Sequence, residues 1–218
     1  MISITCISDL HGFLPSLPSG DLLLLAGDLT AQDTPDEYER FKQWLNNLDY
    51  RCKIVIAGNH DGLLDCGYHD GLLKLGKAIL EDGSIGIHYL CDSGFEFEGV
   101  KIWGSPYTPT YLDWYFMRNR GKDIKKHWDL IPSDTDILVT HGPPYGIFDE
   151  TDRKQHVGCQ DLLEQVQKRI KPKIHCYGHI HEGGNSKKEI AGTNYINCSY
   201  VDENYRPVNP PIIVNLAI

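Results

Sequence analysis

Five apolar runs in this sequence of 218 residues each lead into a motif rich in aspartate, asparagine or histidine. Such runs predict buried strands, and ligands of open α/β sheets bind where parallel strands end. One such motif alone is more typical of a turn or a structural histidine. Five of them favour one shared site. The motifs are Asp9-x-His11, Gly27-Asp28, Gly58-Asn59-His60-Asp61, His141 and Gly178-His179-x-His181, after predicted strands at 2–7, 21–26, 54–57, 135–140 and 173–177.

The segments between these strands predict a mixed or parallel sheet. Thr34-Pro35-Asp36-Glu37 combines a capping box with proline at the first helical position. The helix that follows joins two predicted strands as a βαβ unit. Further helices are predicted at 72–80, 121–130 and 158–170, and hairpin strands at 87–90, 95–97, 100–103, 187–190, 194–198 and 211–216. We therefore predict an α/β fold in which residues 1–218 form a single domain of two packed sheets flanked by helices.

Charge and cysteine content narrow the function and the compartment. The net charge of −9 argues against non-specific binding to nucleic acid or to an anionic membrane. Seven cysteines without a CxxC pair indicate neither a zinc ribbon nor a disulfide framework, and free thiols suit the cytosol. Residues 1–7 predict a strand rather than a signal peptide, and no apolar run is long enough to span a membrane. We expect a cytoplasmic protein, with its oligomeric state left open.

The side chains at the five strand ends are nitrogen and oxygen ligands without thiolates. Such ligands suit manganese, iron or zinc rather than copper(I) or an iron–sulfur cluster. Their number is too large for one metal ion and suits two, with Asp28 as the candidate bridge. Two metal ions clamp the attacking and leaving oxygens of an in-line displacement at phosphorus and lower the pKa of a bound water. The predicted ligands are Asp9, His11, Asp28, Asn59, His141, His179 and His181.

The five motifs together resemble the signature of the calcineurin-like metallophosphoesterases. Within that superfamily, residues 140–144, 178–183, 197–199 and 205–211 resemble the MPPED-type branch of metallophosphoesterase-domain proteins. The resemblance runs nearly from end to end. It implies a four-layer sandwich of two packed mixed β-sheets flanked by helices. It also implies a dinuclear phosphodiesterase for small phosphodiesters, such as nucleotides or cyclic nucleotides, that works through in-line attack of a metal-bridging hydroxide.

The resemblance assigns a role to each motif residue. It gives Asp9, His11 and His181 to the first metal ion, Asn59, His141 and His179 to the second, and Asp28 to both. His60 resembles the family's general acid, which protonates the leaving oxygen, and Asp61 would orient it. Mn²⁺ is the expected ion, with iron, zinc, cobalt and nickel as alternatives. Some animal members of the branch carry glycine for one histidine of the last motif, whereas this chain keeps both.

Two other functions remain open on the same residues. The first is a phosphomonoesterase or a protein phosphatase, although no pair of arginines near the motifs is evident for a dianionic monoester. The second is a scaffold that kept the fold and lost catalysis, although no ligand and no acid is missing from the motifs. We expect the partner to be a small phosphodiester substrate rather than a nucleic acid or a membrane.

Several residues outside the motifs could have either a structural or a functional role. Five histidines are expected to be structural or to lie at the surface, with a supporting role left open for the last: His69, His88, His127, His156 and His175. An aromatic loop could stack a nucleobase or pack beneath its own chain: Tyr107, Tyr111, Trp114, Tyr115 and Phe116. Tyr145 could line the same cleft.

Overall fold

The computed structural model describes residues 1–65, 78, 80 and 82–217. Most of the helix predicted at 72–80, and His69, lie outside these residues. The strands are β1 (Ile2–Ile7), β2 (Gly20–Ala26), β3 (Tyr50–Ile56), β4 (Ile87–Tyr89), β5 (Ser93–Phe97), β6 (Val100–Ser105), β7 (Thr108–Pro109), β8 (Met117–Arg118), β9 (Ile137–Thr140), β10 (Ile174–Tyr177), β11 (Ser186–Ile190), β12 (Thr193–Asn197) and β13 (Ile212–Leu216). The helices are α1 (Pro35–Asn46), α2 (Lys122–Trp128) and α3 (Gln160–Gln165), and α3 continues as a π-helical turn at Val166–Ile170.

The described strands form two large mixed sheets and one small two-stranded sheet. The first large sheet has the order β13-β1-β2-β3-β4, and its last four strands run parallel. The second has the order β11-β12-β10-β9-β6-β5, with β12, β10, β9 and β6 parallel. In both sheets the antiparallel strands lie at the edges. The central strands of each sheet are therefore parallel, and their carboxyl ends can contribute to one site.

Apolar side chains alternate between the two faces of the strands, and this alternation divides the core into layers. Leu22 and Leu24 of β2 belong to an apolar cluster with residues of β9 and β10, so this cluster fills the space between the sheets. Leu23 and Leu25 point to the opposite face and belong to a cluster with α1. Strand side chains alternate between two faces, so one strand serves both clusters. The second sheet is covered in the same way by α2 and α3. The predicted architecture of two packed mixed sheets flanked by helices is confirmed.

The predicted βαβ unit is present with its helix cap. The Thr34 hydroxyl accepts a hydrogen bond from the Glu37 amide, and the Glu37 carboxylate accepts one from the Thr34 amide. Tyr38, Phe41 and Leu45 are buried on one face of α1. This helix joins β2 to β3 as a parallel crossover, which places the ends of these two strands side by side.

Two strands predicted in hairpins pair differently. β4 was expected to pair with the strand after it, but it runs parallel to β3 at the edge of the first sheet. β13 was expected in a hairpin of the C-terminal segment, but it crosses to the first sheet and pairs antiparallel with β1. Local turn residues predicted the hairpins β5–β6 and β11–β12 correctly. They could not predict the two long-range pairings, since these depend on which sheet edge is free.

Candidate metal centre

All seven predicted ligands converge between the carboxyl ends of the parallel strands. The His181 Nε2 atom lies 3.4 Å from Asp9 Oδ1 and 3.3 Å from His11 Nε2. His141 Nε2 lies 2.9 Å from Asn59 Oδ1. Ligand atoms of Asp9, His11 and His181 lie within 4.8 Å of one another, and so do those of Asp28, His141 and His179. The first group holds the three residues that the resemblance assigns to the first metal ion, and the second holds the predicted bridge with two of the three residues assigned to the second ion.

Asp28 lies between the two groups. Its Oδ2 atom is 3.7 Å from His11 Nε2 in the first group and 3.4 Å from His141 Nε2 in the second. The other oxygen, Oδ1, accepts a hydrogen bond of 2.8 Å from the His60 amide. One carboxylate oxygen thus faces an imidazole from each group, which is the arrangement that a bridging ligand requires.

Glycines beside the ligands leave room for the two carboxylates. A Cβ atom on Gly58 would lie 2.2 Å from Asp28 Oδ1, and one on Gly178 would lie 1.9 Å from Asp9 Oδ2. Neither distance is possible for a real side chain. The glycines of these motifs are therefore explained by the close approach of backbone to carboxylate.

Four predicted ligands have a backbone that L-amino acids seldom adopt. The φ angles are +51° for Asp9, +42° for His11, +51° for Asp28 and +69° for His179. Each of these residues follows the end of a strand, where the left-handed conformation turns the chain sharply. Such conformations cost of order 1 kcal/mol or more each and tend to cluster at functional sites. Four of the seven predicted ligands thus have a strained backbone.

Hydrogen bonds place a hydrogen on the Nδ1 atom of two histidines, His141 and His181. His141 Nδ1 donates to the Ala26 carbonyl at 2.9 Å, and His181 Nδ1 donates to the Asp202 carbonyl at 3.1 Å. A carbonyl oxygen only accepts, so in both rings Nδ1 carries the hydrogen. In the neutral form of each ring, Nε2 then offers a lone pair to the site, which is the usual state of a metal-bound histidine.

The charges of the site call for cations. Burial alone would raise the pKa of Asp9, but the hydrogen bond and charge of His181 hold that pKa well below its usual range. The pKa of Asp28 is likewise held low, because the charge and hydrogen bond of His141 outweigh burial. Burial opposes charge on His141 as well, yet Asp28 raises its pKa to about 9. Burial lowers the pKa of His11 to about 4.

Two ionised carboxylates thus lie buried beside imidazole rings, and each ring offers a lone pair in its neutral form. Buried charges need compensation, and divalent cations provide it. The donors are oxygen and nitrogen atoms without thiolates, a set that suits borderline and hard metal ions. The residues of this chain fit a pair of divalent metal ions.

His60 lies at the first group of ligands. Its ring is in edge contact with the His11 ring, with the centroids 4.7 Å apart. One His60 nitrogen lies within 4.8 Å of ligand atoms of His11 and Asp28. The Trp114 indole covers the ring from the outside, with centroids 4.4 Å apart and planes inclined by 33°. His60 is therefore placed beside the candidate metal centre and is held there by an aromatic contact.

Asp61 does not contact the His60 ring, although it was predicted to orient it. The fully buried Asp61 carboxylate accepts hydrogen bonds from the amides of Gly58, Leu29 and Thr30 and from the Thr30 hydroxyl. These donors belong to the segments that follow β2 and β3. Asp61 therefore holds together the backbone that carries Asp28, Asn59 and His60, and Trp114 contacts the His60 ring instead.

A cavity of about 310 Å³ opens over the ligands. Its wall includes Trp114 of the aromatic loop together with Glu182, Glu203 and Tyr205, and these last three were not predicted as site residues. The Tyr205 ring is in edge contact with the rings of His11 and His181. No lysine or arginine is among the described residues that line this cavity, whereas two glutamates are. The sequence showed these residues, but not that the chain near its C-terminus folds over the first group of ligands.

The aromatic loop divides between its two possible roles. Tyr107 and Phe116 are buried in the core, whereas Tyr111 and Trp114 are exposed and line the cavity. Tyr115 occupies the space that a side chain at position 62 would fill, so it packs on Gly62. Tyr145 lies near His156, with ring centroids 5.7 Å apart, and is not among the described residues that line the cavity.

The other histidines that the structure describes contact residues outside the metal centre. His127 lies 2.6 Å from Asp92, and His156 lies 2.7 Å from Asp149. His88 stacks on Phe95. His175 is fully buried, and its Nε2 atom lies 2.9 Å from the hydroxyl of Thr140, the residue before His141.

Comparison with known proteins agrees with the two-sheet fold and gives its family. The family model named Calcineurin-like phosphoesterase matches residues 2–183. This chain belongs to the calcineurin-like phosphoesterase family. A solved crystal structure superposes with a TM-score of 0.70 at 14% identity and covers 99% of both chains.

Curated relatives show the branch within the family. The chain is 40% identical to human Metallophosphoesterase domain-containing protein 1, over 97% of this chain and 70% of that protein. It is 36% identical to UPF0046 protein T07D4.2 of Caenorhabditis elegans, over 100% of this chain and 60% of that one. A 3′,5′-cyclic-nucleotide phosphodiesterase of Nostoc sp. is 26% identical over 76% of this chain and 57% of its own length. The predicted resemblance to the MPPED-type branch is confirmed.

The helices of the described residues include none with the length and apolar character that crossing a membrane requires.

Proposed function

We propose that this chain is a metal-dependent phosphodiesterase for small phosphodiesters such as nucleotides. The observation that carries the proposal is the position of Asp28. Its carboxylate faces one histidine of each ligand group, and it accepts a hydrogen bond from the amide of His60, the candidate proton donor. Ligands for two cations and an acid beside them are the parts that phosphodiester hydrolysis needs.

Asp9, His11 and His181 would hold one divalent ion, and Asn59, His141 and His179 the other, with Asp28 shared. The two metal ions would neutralise charge at the phosphate and would activate a water molecule. Mn²⁺ is the first ion to test, with iron, zinc, cobalt and nickel as alternatives. His60 protonates the oxygen of the departing alcohol, and Trp114 keeps its ring at the cavity wall.

The charge of the cavity wall favours diesters over monoesters. Glu182 and Glu203 line the cavity, and no lysine or arginine of the described residues does. A phosphate monoester carries close to two negative charges at neutral pH, whereas a diester carries one. The acidic wall therefore repels a monoester more strongly. The name of the Nostoc relative, a cyclic-nucleotide phosphodiesterase, supports a diester substrate as well.

The proposal also concerns the compartment and the partners. Five described cysteines are free thiols, which suits a reducing cytoplasm: Cys6, Cys52, Cys159, Cys176 and Cys198. The net charge of −9 opposes non-specific binding to nucleic acid and to anionic membranes. We therefore expect a small-molecule substrate in the cytoplasm.

Metal analysis combined with a paired assay tests the proposal. The protein is loaded with Mn²⁺, and turnover of bis(4-nitrophenyl) phosphate is compared with that of 4-nitrophenyl phosphate, with and without chelator. We expect about two ions per chain and faster, chelator-sensitive turnover of the diester. Faster turnover of the monoester would instead support a phosphomonoesterase. Absence of metal-dependent turnover on either compound and on a panel of linear and cyclic nucleotides would leave only a non-catalytic scaffold.

A further inference from the structure

A second cavity adjoins the one over the metal ligands. Its volume is about 370 Å³, and the two cavities share Tyr111, His179 and Glu182 as lining residues. A substrate that reaches the metal ligands can therefore extend past His179 into the second cavity. The size of each cavity is in the range of pockets that hold small molecules.

The second cavity differs from the first in the charge of its wall. It is lined by Arg120 and Arg153, whereas no arginine or lysine of the described residues lines the first cavity. The sequence suggested no arginines near the motifs, because both are far from them in the chain. The fold brings two guanidinium-bearing side chains to the wall of a cavity that adjoins the metal centre.

The two arginines are held in different ways. The Arg120 guanidinium donates to the carbonyls of Gly158 and Val157 at 2.7 Å and 2.6 Å, so it is fixed to the cavity wall. Arg153 is exposed, and among the described residues its side chain has no hydrogen bond, ion pair or aromatic contact. Its guanidinium is therefore available for a ligand.

The loop that carries Arg153 is fixed next to the metal ligands. The amide of Asp152 donates to the Glu182 carboxylate at 2.9 Å, and Glu182 directly follows the predicted ligand His181. Two backbone hydrogen bonds close the loop, from Thr151 to the Gln155 carbonyl and from Lys154 to the Thr151 carbonyl. The acidic Asp152 also lines the second cavity, so the guanidinium of Arg153 acts there beside a carboxylate.

The position of His60 decides which part of the substrate enters the second cavity. His60 lines the first cavity and is not among the described residues that line the second. Because His60 is the proposed donor to the leaving oxygen, the departing group lies in the first cavity. The group that stays on the phosphorus then lies in the second.

We infer that the second cavity binds the retained group of the phosphodiester and that Arg153 there contacts an additional phosphate on that group. The preferred substrates are accordingly nucleotide diesters that carry a second phosphate. A planar guanidinium can donate two parallel hydrogen bonds to a phosphate, which makes arginine suited to this contact. The inference rests on the proposed phosphodiesterase function and deepens it.

A pair of nucleotide esters tests the inference. Thymidine 5′-(4-nitrophenyl phosphate) and its 3′-phosphorylated form release the same 4-nitrophenol and differ only in the second phosphate. With the Mn²⁺-loaded wild type we expect the 3′-phosphorylated ester to have a KM about fivefold lower, the size of one exposed ion pair. In Arg153→Gln this preference should vanish. Arg153→Lys should keep part of the preference.

Arg40→Gln is the matched control, because Arg40 is also exposed and lines neither cavity. It removes the same charge and should keep the preference. Calorimetry should show that the wild type binds thymidine 3′,5′-bisphosphate more tightly than thymidine 5′-phosphate. Arg153→Gln should lose this preference, and Arg40→Gln should keep it. A wild type that turns over both esters with equal KM, or an Arg153→Gln variant that keeps the preference, overturns the inference. Failure of the wild type to turn over any diester overturns the phosphodiesterase proposal as well.

Discussion

Both carboxylate oxygens of Asp61 lie 3.1 Å from the backbone nitrogen of Leu29. This contact joins the segment after β3 to the segment after β2. Leu29 directly follows the predicted bridging ligand Asp28, and Asp61 lies two residues after the predicted ligand Asn59. Burial, followed by the charge of Asp28, raises the pKa of Asp61 to about 7. All the hydrogen-bond partners named above are N–H or O–H donors, so the backbone on both sides of Asp61 is arranged to bind an acceptor.

Replacement of Asp61 by asparagine should therefore weaken metal binding rather than proton transfer. The amide group of asparagine brings N–H donors toward the amides of Gly58 and Leu29, where only an acceptor fits. We expect metal affinity to fall by roughly 10- to 100-fold, as for other groups that support metal ligands. Equilibrium dialysis against Mn²⁺ measures this effect. His60→Ala is the comparison and should bind metal as the wild type does; equal metal loss in both variants would contradict the separate roles.

His60→Ala should reveal itself through the leaving group of the substrate. An alkoxide needs a proton as it departs, whereas 4-nitrophenolate leaves without one. Loss of the acid should reduce turnover of a dinucleotide such as thymidylyl-(3′,5′)-thymidine by roughly 100-fold or more, the usual contribution of general acid catalysis. Turnover of bis(4-nitrophenyl) phosphate should change far less. Equal losses on the two compounds would count against a proton-donating role.

Trp114 should act on catalysis only through His60. The indole lies against the His60 imidazole, with the ring centroids 4.4 Å apart. Trp114 is 42% exposed, so its removal leaves no cavity in the core. We expect Trp114→Ala to lower kcat for the dinucleotide about tenfold through a less ordered His60 and to leave kcat for the nitrophenyl diester nearly unchanged. Trp114→Phe keeps a ring at this position and should restore most of the activity. A similar loss in Trp114→Ala on both substrates, or in a His60→Ala background, would show that Trp114 acts on the substrate directly.

The cluster of candidate metal ligands was predictable from the sequence because each of these residues lies shortly after a strand. Asp9, Asp28 and His141 follow apolar runs whose period and composition indicate burial. Parallel strands bring their carboxyl ends to one edge, so strand order along the chain was enough to group these residues. The capping box before α1 was predictable for the same reason, since it depends on only four neighbouring residues.

The cavity walls were not predictable, because they depend on loops that return from distant parts of the chain. Trp114 and Arg153 lie in loops whose neighbours in sequence carry no catalytic motif. The hydrogen bonds of Asp61 were not predictable for a related reason: Asp61 is adjacent to His60 in the sequence, yet its carboxylate accepts from Gly58, Leu29 and Thr30. β13 shows the same limit for the fold, since its partner β1 lies at the other end of the chain.

Stability at acid pH should depend on His175. Burial lowers its pKa from 6.5 to about 3, its Nδ1 atom has no hydrogen-bond partner among the described residues, and its Nε2 atom contacts Thr140. Between pH 6.5 and pH 3 the unfolded chain therefore takes up a proton here that the folded protein does not. The free energy of unfolding falls as the pH decreases through this window, and above it this histidine has no effect.

The size of this contribution follows from proton linkage. At pH 5 it should reduce the free energy of unfolding by about 2 kcal/mol relative to pH 8. His175→Gln cannot take up the proton. From pH 8 to pH 5 its free energy of unfolding should therefore fall by about 2 kcal/mol less than that of the wild type, as measured by urea unfolding at the two pH values. If His175→Gln loses stability in parallel with the wild type from pH 8 to pH 5, the buried histidine is not the group that titrates.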